Sequence, residues 1–115
     1  MTTTRLVNTG RAVAFVLSLA TFGFLFVHGS WRADNLFLIP DLIICALLVV
    51  AAVLPVATAS PALVFAFGMS AGVFTTATAA YAVRGEVGIA TLVGAAASAL
   101  MAWLLVAHQP GSRAA

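Results

Sequence analysis

The sequence predicts an all-α membrane protein, a single domain built as an antiparallel bundle of four transmembrane helices. Three observations lead there. Hydrophobic residues make up 63% of the 115 and charged ones only 7%, whereas soluble domains carry roughly 25% charged residues. Four apolar runs of about 20 residues can be drawn, each long enough at about 1.5 Å per residue to cross roughly 30 Å of hydrocarbon. With a mean hydropathy of +1.17, little chain remains for a folded unit outside the bilayer. The predicted spans are 12–31, 36–58, 61–83 and 87–107.

The first span follows a polar start that carries Arg5 and Arg11. A basic start before an apolar run also suits a signal peptide, but the residues after the run show no small-x-small cleavage pattern, so the segment reads as a retained span. Phe15, Phe22 and Phe26 recur at spacings of seven and four, which places them on one helical face as a candidate partner face. The longest polar interruption follows, HGSWRADNLFLIPD over residues 28–41, with two of the three carboxylates.

The second helix is expected to start near Pro40, because proline lacks a backbone donor and suits a first helical turn. Asp41 then meets the free amides at the positive end of the helix dipole. Its alternative role is that of a buried titrating carboxylate, since acids inside spans are costly and often functional. The branched apolar run 42–54 is a second candidate docking face, and Pro55 is expected to loosen the last turns. The link to the third span is read as Thr58-Ala59-Ser60-Pro61, with Ser60 as N-cap and Pro61 at the first helical position.

The third span carries Gly68, Gly72, Thr76 and Ala80 four apart, and the fourth answers with Ala90, Gly94, Ser98 and Ala102. Such small ridges let helix backbones approach closely where lipid removes the hydrophobic drive between helices. They predict that helices three and four form the tightest pair. Arg84-Gly85-Glu86 links these helices, and Arg32-Ala33-Asp34 occupies the corresponding place in the first half, as a duplicated helical hairpin would show. Trp103 and His108 mark the interfacial end of the last span.

Counting spans places both termini and the second link on one face, with three arginines and no acid, and the other two links on the opposite face with two arginines and all three acids. The positive-inside rule therefore favours cytoplasmic termini. Five arginines without a lysine, scattered singly, do not form a nucleic-acid site. The lone Cys45 excludes an intramolecular disulfide and reads as a small buried apolar side chain.

His28, Arg32, Asp34, Asp41, Tyr81, Arg84 and Glu86 are all expected near one membrane face, as a candidate polar cluster. No two of His28, Asp34 and Asp41 have a helical ligand spacing, so neither a metal nor another cofactor is expected. Nor does Cys45 have a basic neighbour in sequence to activate it for catalysis.

In size and topology the chain resembles the small multidrug resistance transporters, a family whose dimers rely on a glutamate within the first span. Here that span has no acid, which puts a transport role in doubt. In its length, lysine-free Ala/Val-rich composition and four-span layout it also resembles small membrane proteins of high-GC actinobacteria that attach to larger envelope complexes. The mammalian-cell-entry type lipid transporter and the respiratory supercomplexes are two such hosts. That resemblance implies a non-catalytic accessory subunit in a bacterial plasma membrane, with the lipid bilayer and other integral membrane subunits as partners. A small homo-oligomeric transporter or channel is the alternative.

Overall fold

The computed structural model describes residues 3–27 and 36–108. Four helices and no strand occur among them: α1 (Thr3–Val27), α2 (Leu38–Val53), α3 (Val56–Val83) and α4 (Ile89–Ala107). Of these, α1, α3 and α4 are long and apolar enough to cross a membrane, while α2 is apolar but has only 16 residues.

Helix α1 starts at Thr3, well before the expected position near residue 12. The reason is packing. Leu6, Val7 and Gly10 recur on one face and are buried, whereas Thr4, Arg5, Asn8 and Thr9 are exposed, so these first turns are amphipathic and lie on the bundle. A Cβ added at Gly10 would touch Leu63, Met101 and Leu105 at 3.4–3.7 Å.

The α2–α3 boundary also differs from the sequence expectation. Helix α2 stops at Val53, and residues 54 and 55 are extended, with ψ of 156° and 151°. Pro55 has no N–H to continue the ladder, and the ring of a proline drives the residue before it out of helical geometry. The Pro55 carbonyl instead accepts from Thr58 and Ala59 N–H at 2.9 and 2.7 Å and opens α3. Residues 58–61, expected as a link, are therefore helical, and Pro61 lies inside α3. Its missing N–H costs one intrahelical bond, offset by burial of Ala59 and Leu63 one turn apart. Helix α2 begins two residues ahead of Pro40, which occupies the third helical position, where an absent N–H leaves nothing unpaired.

The helices pair as two antiparallel hairpins. Ser18 of α1 meets Cys45 of α2, and Arg11 meets Leu54. In the other hairpin Phe74 of α3 lies against Gly94 of α4, and Thr78 against Thr91. The α3–α4 pair is the more extensive, as the sequence predicts. The hairpins share a core of Leu6, Val7, Ala14, Leu48, Ala51, Ala52, Ala59, Leu63, Ala66, Phe67, Met101 and Leu105. These residues come from the start of α1, the end of α2, the start of α3 and the end of α4. The common core thus sits toward the end of the bundle that holds the α2–α3 junction.

The α3–α4 link closes with a Schellman motif. Gly85 takes φ of +75°, Glu86 N–H reaches Tyr81 O, and Gly85 N–H reaches Ala82 O. Only glycine adopts that left-handed position without a steric cost, and the two bonds satisfy carbonyls that the helix end would leave open.

Candidate functional site

The sequence points to three regions: a polar cluster at one end, a small-residue seam, and an aromatic face. The structure treats them differently. Of the polar cluster, His28, Arg32 and Asp34 lie outside the described residues. Tyr81, Arg84 and Glu86 do come together at the α3–α4 link. Arg84 Nε donates to Glu86 Oε2 at 3.2 Å, and its guanidinium carbon sits 4.7 Å above the centre of the Tyr81 ring. Both charged side chains are more than half exposed, so the pair contributes little and is screened by salt. Asp41, half-buried in the first turn of α2, is joined to this group by no hydrogen bond or ion pair among the described residues.

The small ridges divide between two surfaces. On α4, Gly94 and Ser98 are buried against α3, with Ala102 partly buried and Ala90 exposed. The fit at Gly94 is close: an added Cβ would come within 2.9 Å of the Phe74 ring. On α3, however, Gly68, Gly72 and Thr76 face outward, and Ala80 is only partly covered. Nothing lies within 4 Å of a Cβ placed at Gly68 or Gly72. The expectation that this ridge packs on α4 is corrected: the buried face of α3 is Leu63, Phe67, Ser70, Phe74 and Ala77, of which Phe74 lies against Gly94 of α4. That face has larger side chains and takes the inside because burying them removes more apolar surface. The outward ridge leaves a shallow apolar groove lined by Val64, Phe65, Gly68, Met69, Gly72 and Val73.

Phe15, Phe22 and Phe26 are all exposed, and Phe22 packs edge-on against Phe26 at 5.1 Å. Along the run 42–54, Ile43, Val49, Val50 and Val53 are exposed while Ile44, Leu48, Ala51 and Ala52 are buried.

Polar groups inside the bundle are largely satisfied locally. Ser18 Oγ donates to Cys45 O at 3.2 Å, and Cys45 Sγ reaches Ser18 O at 3.5 Å. Thr21 and Ser70 each donate to the carbonyl four residues earlier, as does Thr76 on the outward face of α3. The Thr78 hydroxyl lies 2.9 Å from that of Thr91, which in turn donates to Gly88 O. Ser98 Oγ is buried without a partner. Residues 12–27, 42–83 and 87–107 contain no Asp, Glu, Lys, Arg or His. Among the described residues no three His, Cys, Asp or Glu side chains gather as metal ligands would.

At the junction end, Arg11 makes a contact that the sequence does not announce. Its Nη2 donates to Leu54 O at 2.8 Å across the α1–α2 pair. A cation thereby meets the carbonyl end of α2, where the helix dipole is negative. At the end of α4 the His108 ring caps a carbonyl, with Nδ1 2.9 Å from Leu104 O. Neither contact has a local motif, because each depends on where a chain reversal brings the helix ends.

Comparison with protein-family models, with curated proteins and with solved structures finds no match to this chain.

Proposed function

We propose that this chain is a non-catalytic integral membrane subunit that assembles with other membrane-spanning chains. The carrying observation is the outward face of α3, where Gly68 and Gly72 leave a groove that none of the described residues fills. Small residues four apart let another helix approach to backbone contact, which is how membrane helices associate. Many large apolar side chains, among them Leu19, Phe26, Phe65, Val93 and Leu100, are exposed on the outward faces, as suits a lipid environment.

All four helices cross in this reading. At about 24 Å, α2 is short of a typical hydrocarbon core. Its antiparallel pairing with α1 from Cys45 to Leu54 nevertheless carries the chain back, so the junction shares a face with the N-terminus. The arginine distribution favours a cytoplasmic position for that face. The middle of the bundle supports the accessory role over coupled transport, because apart from Ser98 the buried hydroxyls there bond to nearby groups and no ionisable pair among the described residues offers a proton path. The actinobacterial envelope-complex subunits named above are the model for the host, with a lipid transporter among the candidates.

The test is purification of the tagged protein in mild detergent, with native mass measurement of wild type and Gly72→Leu. Wild type should carry other membrane chains in fixed stoichiometry, and the folded Gly72→Leu protein should lose them. A wild-type protein that runs alone, and takes up a solute in vesicles, would contradict the subunit reading.

A further inference from the structure

The outward face of α3 carries two rows of opposite relief. Gly68, Gly72 and Thr76 form a low row at spacings of four, and Phe65, Met69 and Val73 form a raised row beside it. All are exposed except Val73, which is partly covered, and a Cβ placed at Gly68 or Gly72 meets nothing within 4 Å. A patch that holds both a ridge and the groove to fit it complements itself, which is what a two-fold contact between identical chains requires. A helix of another sequence would need only one of the two rows.

Position and chemistry select the same occupant. Gly68 and Gly72 flank the midpoint of α3, which runs Val56–Val83. Copies inserted alike in one membrane hold their α3 helices parallel and at one depth, so a crossing at the midpoint brings the glycines of both together without a vertical offset. Residues 42–83 contain no Asp, Glu, Lys, Arg or His, so no like charges oppose that crossing. Thr76, the polar member of the face, donates to Gly72 O at 2.9 Å and calls for no polar partner.

We propose that the occupant of this groove is α3 of a second copy, in a parallel pair that crosses at Gly68 and Gly72. The raised row of each copy lies beside the low row of the other, and rows spaced by four give a right-handed crossing of about −40°. Lipid tails are as apolar as these side chains, so the pairing comes from close backbone packing and not from removal of apolar surface. The proposal rests on the membrane-subunit reading above and names the chain at its site; chains of other sequence then join the pair.

Oxidative cross-linking of the full chain, purified and reconstituted alone in phosphatidylcholine vesicles, tests this. Met69→Cys is compared with Leu19→Cys and Leu100→Cys, each in a Cys45→Ala background, with copper-phenanthroline as the oxidant. Leu19 on α1 and Leu100 on α4 are 72% and 55% exposed, more than Met69 at 39%, so access alone favours these controls. We expect Met69→Cys to form the covalent dimer about ten-fold faster than either control, a preference of about 1.4 kcal/mol for this face. Adding Gly72→Leu should bring its rate down to that of the controls, with helical circular dichroism unchanged because nothing lies within 4 Å of that site. Equal rates at the three positions, a faster rate at a control, or a Met69→Cys rate that Gly72→Leu leaves unchanged overturns the proposal. If foreign membrane chains then copurify with wild type and are lost from Gly72→Leu, the groove takes a helix of another sequence and the subunit reading stands. A chain with neither a second copy nor foreign chains contradicts that reading as well.

Discussion

Ser18 and Cys45 each place a side chain on the other's backbone carbonyl, Ser18 Oγ on Cys45 O at 3.2 Å and Cys45 Sγ on Ser18 O at 3.5 Å. This reciprocal contact sets how closely α1 and α2 approach. Ser18→Ala removes one interhelical hydrogen bond, and membrane-helix bonds of this kind average about 0.6 kcal/mol. Ser18→Leu should cost more, about 1 to 3 kcal/mol, because a buried seam cannot admit the added volume without moving a helix. Loss of helical circular dichroism on heating in detergent should rank the proteins wild type, Ala, Leu.

Gly94 and Gly72 give opposite outcomes although both belong to small-residue ridges. Gly94→Ala forces a methyl against the Phe74 ring and should destabilise by about 1 to 3 kcal/mol. Phe74→Leu in the same protein should recover part of that loss, since the two residues share one contact. Gly72→Ala meets nothing and should be neutral or stabilise the isolated chain by up to about 1 kcal/mol through helix propensity. Thermal unfolding of the three variants checks the sign of each change.

Arg11 should be the most sensitive charged residue. Arg11→Gln replaces a guanidinium bound to Leu54 O at 2.8 Å, and hydrogen bonds to charged groups contribute about 1.5 to 3 kcal/mol. Arg11→Lys keeps the charge and one donor, so it should fall between wild type and Gln. Detergent melting curves at one pH decide the order.

At the α3–α4 link, backbone geometry should matter more than charge. Gly85→Ala puts a side chain at φ of +75°, which costs about 1 to 2 kcal/mol. Glu86→Gln breaks an ion pair whose partners are 56% and 58% exposed and should change stability by less than about 1 kcal/mol, with the difference shrinking in high salt. A salt series on both variants separates the two effects.

Much of the architecture is legible in the sequence because long apolar runs carry it directly. Four helices and the turn at Arg84-Gly85-Glu86 follow from hydropathy and a glycine, and of the small-residue signal for the α3–α4 pair only the α4 half, at Gly94, lies in the contact. The helix limits are less legible where two signals compete. Ser60-Pro61 has the form of a helix start, yet Pro55 makes the break, because the Pro55 carbonyl can open α3 and Ala59 and Ser60 are buried by joining it. The N-terminal turns are hidden by their average polarity, although Leu6, Val7 and Gly10 have helical spacing. The inward face of α3 could not be read from its glycines, since a small ridge suits a partner chain as well as a neighbouring helix. Arg11 with Leu54, and Ser18 with Cys45, unite residues 43 and 27 positions apart, and only the fold reveals such pairs.

If α2, with its 16 residues, crosses the membrane, it returns the chain to the face of the N-terminus. Single cysteines placed at Thr4, Thr58 and Glu86 in a Cys45→Ala background, labelled with an impermeant maleimide in intact cells and after permeabilisation, measure this directly. The Thr4 and Thr58 positions should then label together, only after permeabilisation, while the Glu86 position labels from outside. Labelling of the Thr58 position on the side opposite Thr4 would show that only α1, α3 and α4 cross, and would contradict the four-span bundle.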